Sequence, residues 1–266
     1  MMSTRKGHVL GAVVTHRNGA TTTMTAAKTP ARTVQCEVAA QRSSGGEVEA
    51  FINQVQGLAP LGEGRGRLIF AMDATMSRQP TWDLALSLQS EMFSAVKVVG
   101  GLDVQLVYFR GFNECRASKW VANTDALADL MRQVACQGGY TQIRKVFTHA
   151  RREAQRGKVG ALVYVGDCME ENVDELSQLA GELGLLRVPV FIFQEGRDAK
   201  AERGFREIAR LTRGAYCHFD AGSARQLKEL LAAVAVYAAG GRKALRDLSA
   251  TAKGGAATRL LEQLGS

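Results

Sequence analysis

The sequence lacks paired cysteines, histidine clusters and long apolar runs. Its five cysteines (Cys36, Cys115, Cys136, Cys168, Cys217) are an odd number with no C-x-x-C pair and no zinc-like spacing. That argues against a zinc module, and a reducing compartment fits the cysteine usage best. None of the four histidines stands in a recognisable partner motif, so no catalytic triad can be written; His149 and His218 read as local surface or core residues. No stretch approaches the ~20 apolar residues of a membrane span, and the run from Val9 to Val14 is short for a signal-peptide core. The expected location is cytoplasmic. Acid is missing from residues 1–36, whose scattered Arg, Ser and Thr resemble an organelle transit peptide; a disordered start is the simpler reading.

The 266 residues, 46% of them hydrophobic, suffice for one sizeable α/β domain with flanks. The net charge of +8 sits at the ends. Residues 1–44 hold six Lys/Arg against Glu37 alone, residues 240–266 hold five against two acids, and the stretch between is neutral. The total therefore does not imply a nucleic-acid groove across the folded domain, although basic tails could still touch anionic partners. One helix, "RKVFTHARREAQRGK", gathers Arg144, Lys145, Arg151, Arg152, Arg156 and Lys158 around Glu153. Without interleaved aromatics it reads as a solvated face.

Residues 1–45, rich in Thr, Ala and Gly and ending at "SSGG", read as a flexible basic arm, and 46–65 as a short helix ("VEAFINQV") and a linker. The linker's "GEGRGR" precedes a strand instead of following one, which argues against a phosphate loop. From 66 to 239 the pattern alternates. "RLIFAM", "DVQLVYF", "CRASKWV", "ALVYV", "VPVFIFQ" and "AYCHF" read as strands, the second and third forming a hairpin; helices are expected at Pro80–Val99, Asp125–Cys136, Gln142–Arg156, Val173–Leu185, Ala199–Arg213 and Ser223–Ala239. Near-continuous apolar strands between helices imply an α/β fold: a doubly wound, mostly parallel six-stranded sheet, Rossmann-like, with helices on both faces and one short antiparallel edge strand. There is no internal repeat. Residues 240–266 read as a loosely ordered basic tail with a last helical turn or two at "ATRLLEQL".

In "FAMDATMSRQPTW" the first apolar strand stops at Asp73, hydroxyls follow at Thr75 and Ser77, and Pro80 opens a helix. Alternate residues of an extended segment face one side, so these three can present oxygen to a common point, at the carboxyl end of a strand where doubly wound sheets place their chemistry. Thr141, in "GGYTQI", and Asp167, in "VYVGDCMEE", occupy matching places. Two carboxylates and three hydroxyls make a hard, oxygen-only set suited to Mg²⁺ or Mn²⁺ and unsuited to zinc. Taken alone, the first three could equally cap a loop and the next helix. Cys168 and Cys136 read as small buried apolar groups, and Trp82 and Trp120 as packing residues.

These residues, in this order, resemble the von Willebrand factor A domain family with its metal-ion-dependent adhesion site: D-x-S-x-S, a Thr in a second loop, an Asp in a third. The resemblance spans roughly residues 66–238, on Asp73, Thr75, Ser77, Thr141 and Asp167. It implies a metal-dependent protein-binding module and not an enzyme, in which an Asp or Glu carboxylate of another protein completes the shell of a loop-held ion. The resemblance is to an intracellular, bacterial-type member, and intracellular members resemble adaptors working with ATPase or chaperone machinery. Two departures stand out: Thr75 replaces the commoner Ser, and Asp167 is followed by Cys168, Met169, Glu170 and Glu171. Glu170, three residues after Asp167, is within reach of the ion's open position and could occlude it; the simpler expectation is that both glutamates face their own helix dipole. A metal-dependent hydrolase or phosphotransferase using Asp73 is the competing reading, weakened by Thr75 where the familiar phosphatase motif has a second Asp. Nucleic-acid binding by the basic tails is the third.

Overall fold

The computed structural model describes residues 65–97, 99–220, 223–251 and 255–265. The expectations for the arm and for the helix and linker before Arg65 lie outside these residues.

Six strands form one sheet: β1 (Gly66–Asp73), β2 (Leu102–Arg110), β3 (Glu114–Ala117), β4 (Ala161–Gly166), β5 (Val190–Glu195) and β6 (Ala215–Phe219). Their order is β3-β2-β1-β4-β5-β6, all parallel except β3, which pairs antiparallel with β2 through a hairpin. The antiparallel edge and parallel centre follow the sequence pattern, because only the β2–β3 connection is short enough for a hairpin. Strand β1 alternates Leu68, Phe70 and Met72 toward one apolar layer with Ile69 and Ala71 toward the other, so it is apolar throughout.

The helices are α1 (Gln79–Leu88), α2 (Ser90–Ala95), α3 (Thr124–Arg132), α4 (Ile143–Arg156), α5 (Val173–Leu185), α6 (Ala199–Leu211), α7 (Ala224–Ser249) and α8 (Gly255–Gly265). Helices α1, α2, α3, α7 and α8 contribute to one layer and α4, α5 and α6 to the other. The single helix expected over Pro80–Val99 is two, divided at Gln89, where Met92 N–H donates to the Gln89 carbonyl over a tight turn. Helix α7 crosses the beginnings of β1 and β4 so closely that a Cβ at Gly66 would lie 2.4 Å from the Ala239 Cα, and one at Gly160 2.5 Å from the Ala238 carbonyl.

The C-terminal segment corrects the sequence reading. Helix α7 kinks at Gly241 (φ 66°) and runs on to Ser249, and α8 follows. Leu245, Ala256, Ala257 and Leu260 are buried, so this stretch is an amphipathic part of the core layer whose exposed face carries the basic residues. The Gln263 amide of α8 accepts from Tyr216 N–H at 2.7 Å and donates to the Tyr216 carbonyl at 2.8 Å. A side-chain amide thus supplies the pairing that the β6 edge would otherwise offer to another strand.

Candidate metal centre

Strand order reverses at β1, whose neighbours β2 and β4 run out to opposite edges. Asp73 ends β1 at this switch point, and Asp167 directly follows β4. Ala74 N–H donates to the Phe109 carbonyl and Gln137 N–H to the Ala74 carbonyl, tying the chain after Asp73 to the end of β2 and to the loop before α4. Thr75 is extended (φ −71°, ψ 160°), and Arg78 N–H closes on its carbonyl to form the single 3₁₀ turn Met76–Arg78.

Asp73, Thr75, Ser77 and Thr141 converge on one cleft of about 200 Å³, also lined by Met76, Gly138, Gly139, Cys168 and Glu170. Such a volume admits a hydrated ion or a side-chain carboxylate and not a drug-sized ligand. Asp73 is 2% exposed, and its Oδ1 accepts Thr75 N–H at 2.7 Å. The Thr75 and Ser77 hydroxyls lie 3.4 Å apart. Burial pushes the Asp73 carboxyl up from 3.8 to about 6; the backbone and hydroxyl of Thr75 oppose this, Asp167 adds to it and Arg78 subtracts. A carboxylate held this way gains from any cation that enters the cleft.

Asp167 does not line the cleft. Its Oδ2 pairs with Arg78 Nη2 at 3.2 Å, and its Oδ1 is buried with no hydrogen-bond partner. Arg78 in turn donates Nη1 to Glu195 at 2.6 Å, and Glu195, 6% exposed at the end of β5, also accepts the Thr81 hydroxyl. Sequence reading missed both Arg78 and Glu195. The available signal was a carboxylate ending the strand next to β4, which needs a cation, and the nearest one in sequence to the oxygen cluster is Arg78.

The loop after Asp167 departs from expectation in an informative way. Glu170 and Glu171 do not face their own helix: Asn172 caps α5, accepting from Asp174 and Glu175 N–H. Glu171 crosses instead to the start of α4, accepting Ile143 N–H at 2.5 Å and Arg144 N–H at 2.9 Å. Glu170 accepts Thr141 N–H at 2.8 Å while its own N–H donates to the Thr141 hydroxyl at 3.2 Å. Two carboxylates thus dock this loop onto the N-terminal end of α4, where no local side chain caps the helix, and hold Thr141 against the cleft. Burial, with Asp167 beside it, lifts the Cys168 thiol to about 12, so it stands as a neutral group.

Among the described residues no three His, Cys, Asp or Glu side chains form a metal cluster by themselves. The candidate set depends on hydroxyls. It fits a hard cation on two counts: every donor is oxygen, and the buried Asp167 Oδ1 has no partner within the protein.

No protein-family model matches the sequence and no curated protein matches it. Solved structures do. A von Willebrand factor type A protein from Catenulispora acidiphila superposes with a TM-score of 0.54 at 12% identity, covering 66% of this chain and 43% of that one. Proximal thread matrix protein 1 from the mussel byssus gives 0.50 at 16% identity, covering 66% and 48%. The match thus spans less than half the length of either structure. The fold is that of the von Willebrand factor A domains.

Proposed function

We propose that this domain is a protein-binding adaptor module that captures a partner's Asp or Glu carboxylate on a Mg²⁺ or Mn²⁺ held by Asp73, Thr75, Ser77, Thr141 and Asp167. The observation that carries this is the convergence of a buried carboxylate and three hydroxyls on one small cleft at the sheet's switch point. The ion, when bound, supplies an exchangeable coordination position that an incoming carboxylate can fill. Asp73 supplies the buried negative charge, its orientation fixed by Thr75 N–H. The Thr75, Ser77 and Thr141 hydroxyls supply neutral oxygens. Arg78 occupies one oxygen of Asp167, which stands outside the cleft, and leaves Oδ1 to accept from a water on the ion.

Without a cation the cleft repels a partner carboxylate, because Asp73, Glu170 and the adjacent Asp167 are all acidic; the module is therefore off when metal is absent. Binding is favoured over turnover. The cleft gives Asp73 no acid/base neighbour except Glu170, which is engaged by Thr141 N–H, and its cysteine is held as the thiol. Partners drawn from ATPase or chaperone machinery remain part of this proposal, as does a cytoplasmic location. Among the described residues no helix is long and apolar enough to cross a membrane.

Affinity capture from source lysate, in Mg²⁺ and in chelator, with wild type and Asp73→Ala, tests the reading. A partner retained only by wild type in Mg²⁺ supports it. Equal capture under all four conditions refutes it.

A further inference from the structure

The described residues include four large, exposed hydrophobic side chains, and three of them stand on the loops at the cleft's end of the sheet: Met76 at 61% exposure, which lines the cleft, Phe112 at 77% and Tyr140 at 58%. A single exposed apolar residue needs no explanation, whereas a cluster at one end of the sheet does. Met76 stands between the cleft residues Thr75 and Ser77, and Tyr140 between Gly139 and Thr141. The Phe112 and Tyr140 rings pack edge to face with centroids 5.4 Å apart.

The ledge carrying these rings is fixed. Gly111 takes φ 60° at the hairpin tip, Tyr140 N–H donates to its carbonyl at 3.1 Å, and a Cβ at Gly139 would lie 1.9 Å from that same oxygen. The Gln142 amide donates to the Arg110 and Gly111 carbonyls, Lys145 Nζ to the Asn113 carbonyl at 2.8 Å, and Arg110 Nη1 to the Ala135 carbonyl at 2.7 Å. These bonds fix the backbone that carries both aromatics. Aromatic rings, with only two side-chain torsions each, lose little conformational freedom when they are covered.

We propose that Met76, Phe112 and Tyr140 form an apolar rim that receives a large aromatic or branched aliphatic side chain of the partner. The recognised element is then a protein segment with an acidic residue for the cleft and an apolar residue a few positions away. This rests on the carboxylate-capture reading, and it goes beyond that reading in assigning specificity to the rim instead of the cleft.

The probe is a random peptide library displayed on phage, selected in Mg²⁺ on the full chain, with recovered sequences remade as synthetic peptides. Recovered peptides should pair Asp or Glu with Phe, Trp, Tyr, Leu or Ile. Their affinity should fall about tenfold in Phe112→Ser and in Tyr140→Ser, as for aromatic anchors generally. Mg²⁺ affinity, measured by calorimetry, and melting temperature should stay at wild-type values in both variants. Acidic peptides without an apolar residue, or affinity unchanged in both variants, overturn the rim while leaving carboxylate capture standing. Peptides that bind equally in chelator overturn the carboxylate reading and the inference with it, as does a library that yields no binder.

Discussion

Replacing Asp73 by Asn isolates the energetic cost of the buried carboxylate. The side chain is 2% exposed and its pKa is raised by burial from 3.8 to about 6. Between those values the folded protein binds more protons than the unfolded chain, so this group's contribution falls as pH rises through that window and is constant above it. Lifting an acid from 3.8 to about 6 corresponds to about 3 kcal/mol of penalty on the ionised native state, an upper bound before relaxation. Asparagine keeps a neutral oxygen for Thr75 N–H and removes the charge. In chelator at about pH 7.5 the variant should therefore be more stable than wild type by roughly 1–3 kcal/mol, each of which shifts the midpoint by about 2–4 °C in a domain of this size. The difference should vanish near pH 4, where wild type is protonated too. Saturating Mg²⁺ should erase most or all of that advantage, since wild type gains about 2.7 kcal/mol at a hundredfold excess over Kd and the variant gains nothing. Thermal melts across pH, with and without Mg²⁺, measure all three. A variant less stable than wild type in chelator at neutral pH would instead make the Asp73 charge a structural asset and overturn its assignment as a buried cost.

Other outcomes follow from the surrounding contacts. Glu171→Ala should lower stability by about 1–2 kcal/mol in urea titration, by stripping a charged cap from the first two N–H groups of α4. Glu153→Ala should cost more, about 2–4 kcal/mol, because it leaves Trp120 Nε1 and Arg67 without their buried acceptor. Burial alone would raise the Glu153 pKa, but the hydrogen bonds from Trp120 and Arg156, with His149 and Arg67 nearby, bring it below 4.5, so this deficit should narrow as pH falls below that value. Glu170→Gln should strengthen capture of a carboxylate-bearing peptide in Mg²⁺ by removing a negative charge that lines the cleft; unchanged or weaker binding, read by calorimetry, excludes Glu170 as an internal competitor.

The sheet and most of the oxygen cluster were legible because their information is local. Five residues of chain hold Asp73, Thr75 and Ser77, and apolar runs with a glycine at one or both ends mark the five parallel strands. What escaped was tertiary. Glu171 caps a helix that begins 28 residues earlier, so its proximity to its own helix suggested the wrong partner. Arg78 reads as one more surface cation until β5 brings Glu195 beside it. The paired glycines Gly240 and Gly241 look like a helix stop, yet one of them takes up a kink and the amphipathic pattern resumes through Leu245. The helix over Pro80–Val99 has no breaking residue at Gln89; the division there comes from following α7, against which α2 packs.

The proposed site places one divalent cation among Asp73, Thr75, Ser77, Thr141 and Asp167. Titrating Mn²⁺ into the full chain while recording its electron paramagnetic resonance signal counts bound ions directly. One ion per chain is expected, displaced by excess Mg²⁺ and lost in Asp73→Ala. Mn²⁺ that stays free at millimolar concentration, or binds equally well in Asp73→Ala, would contradict it.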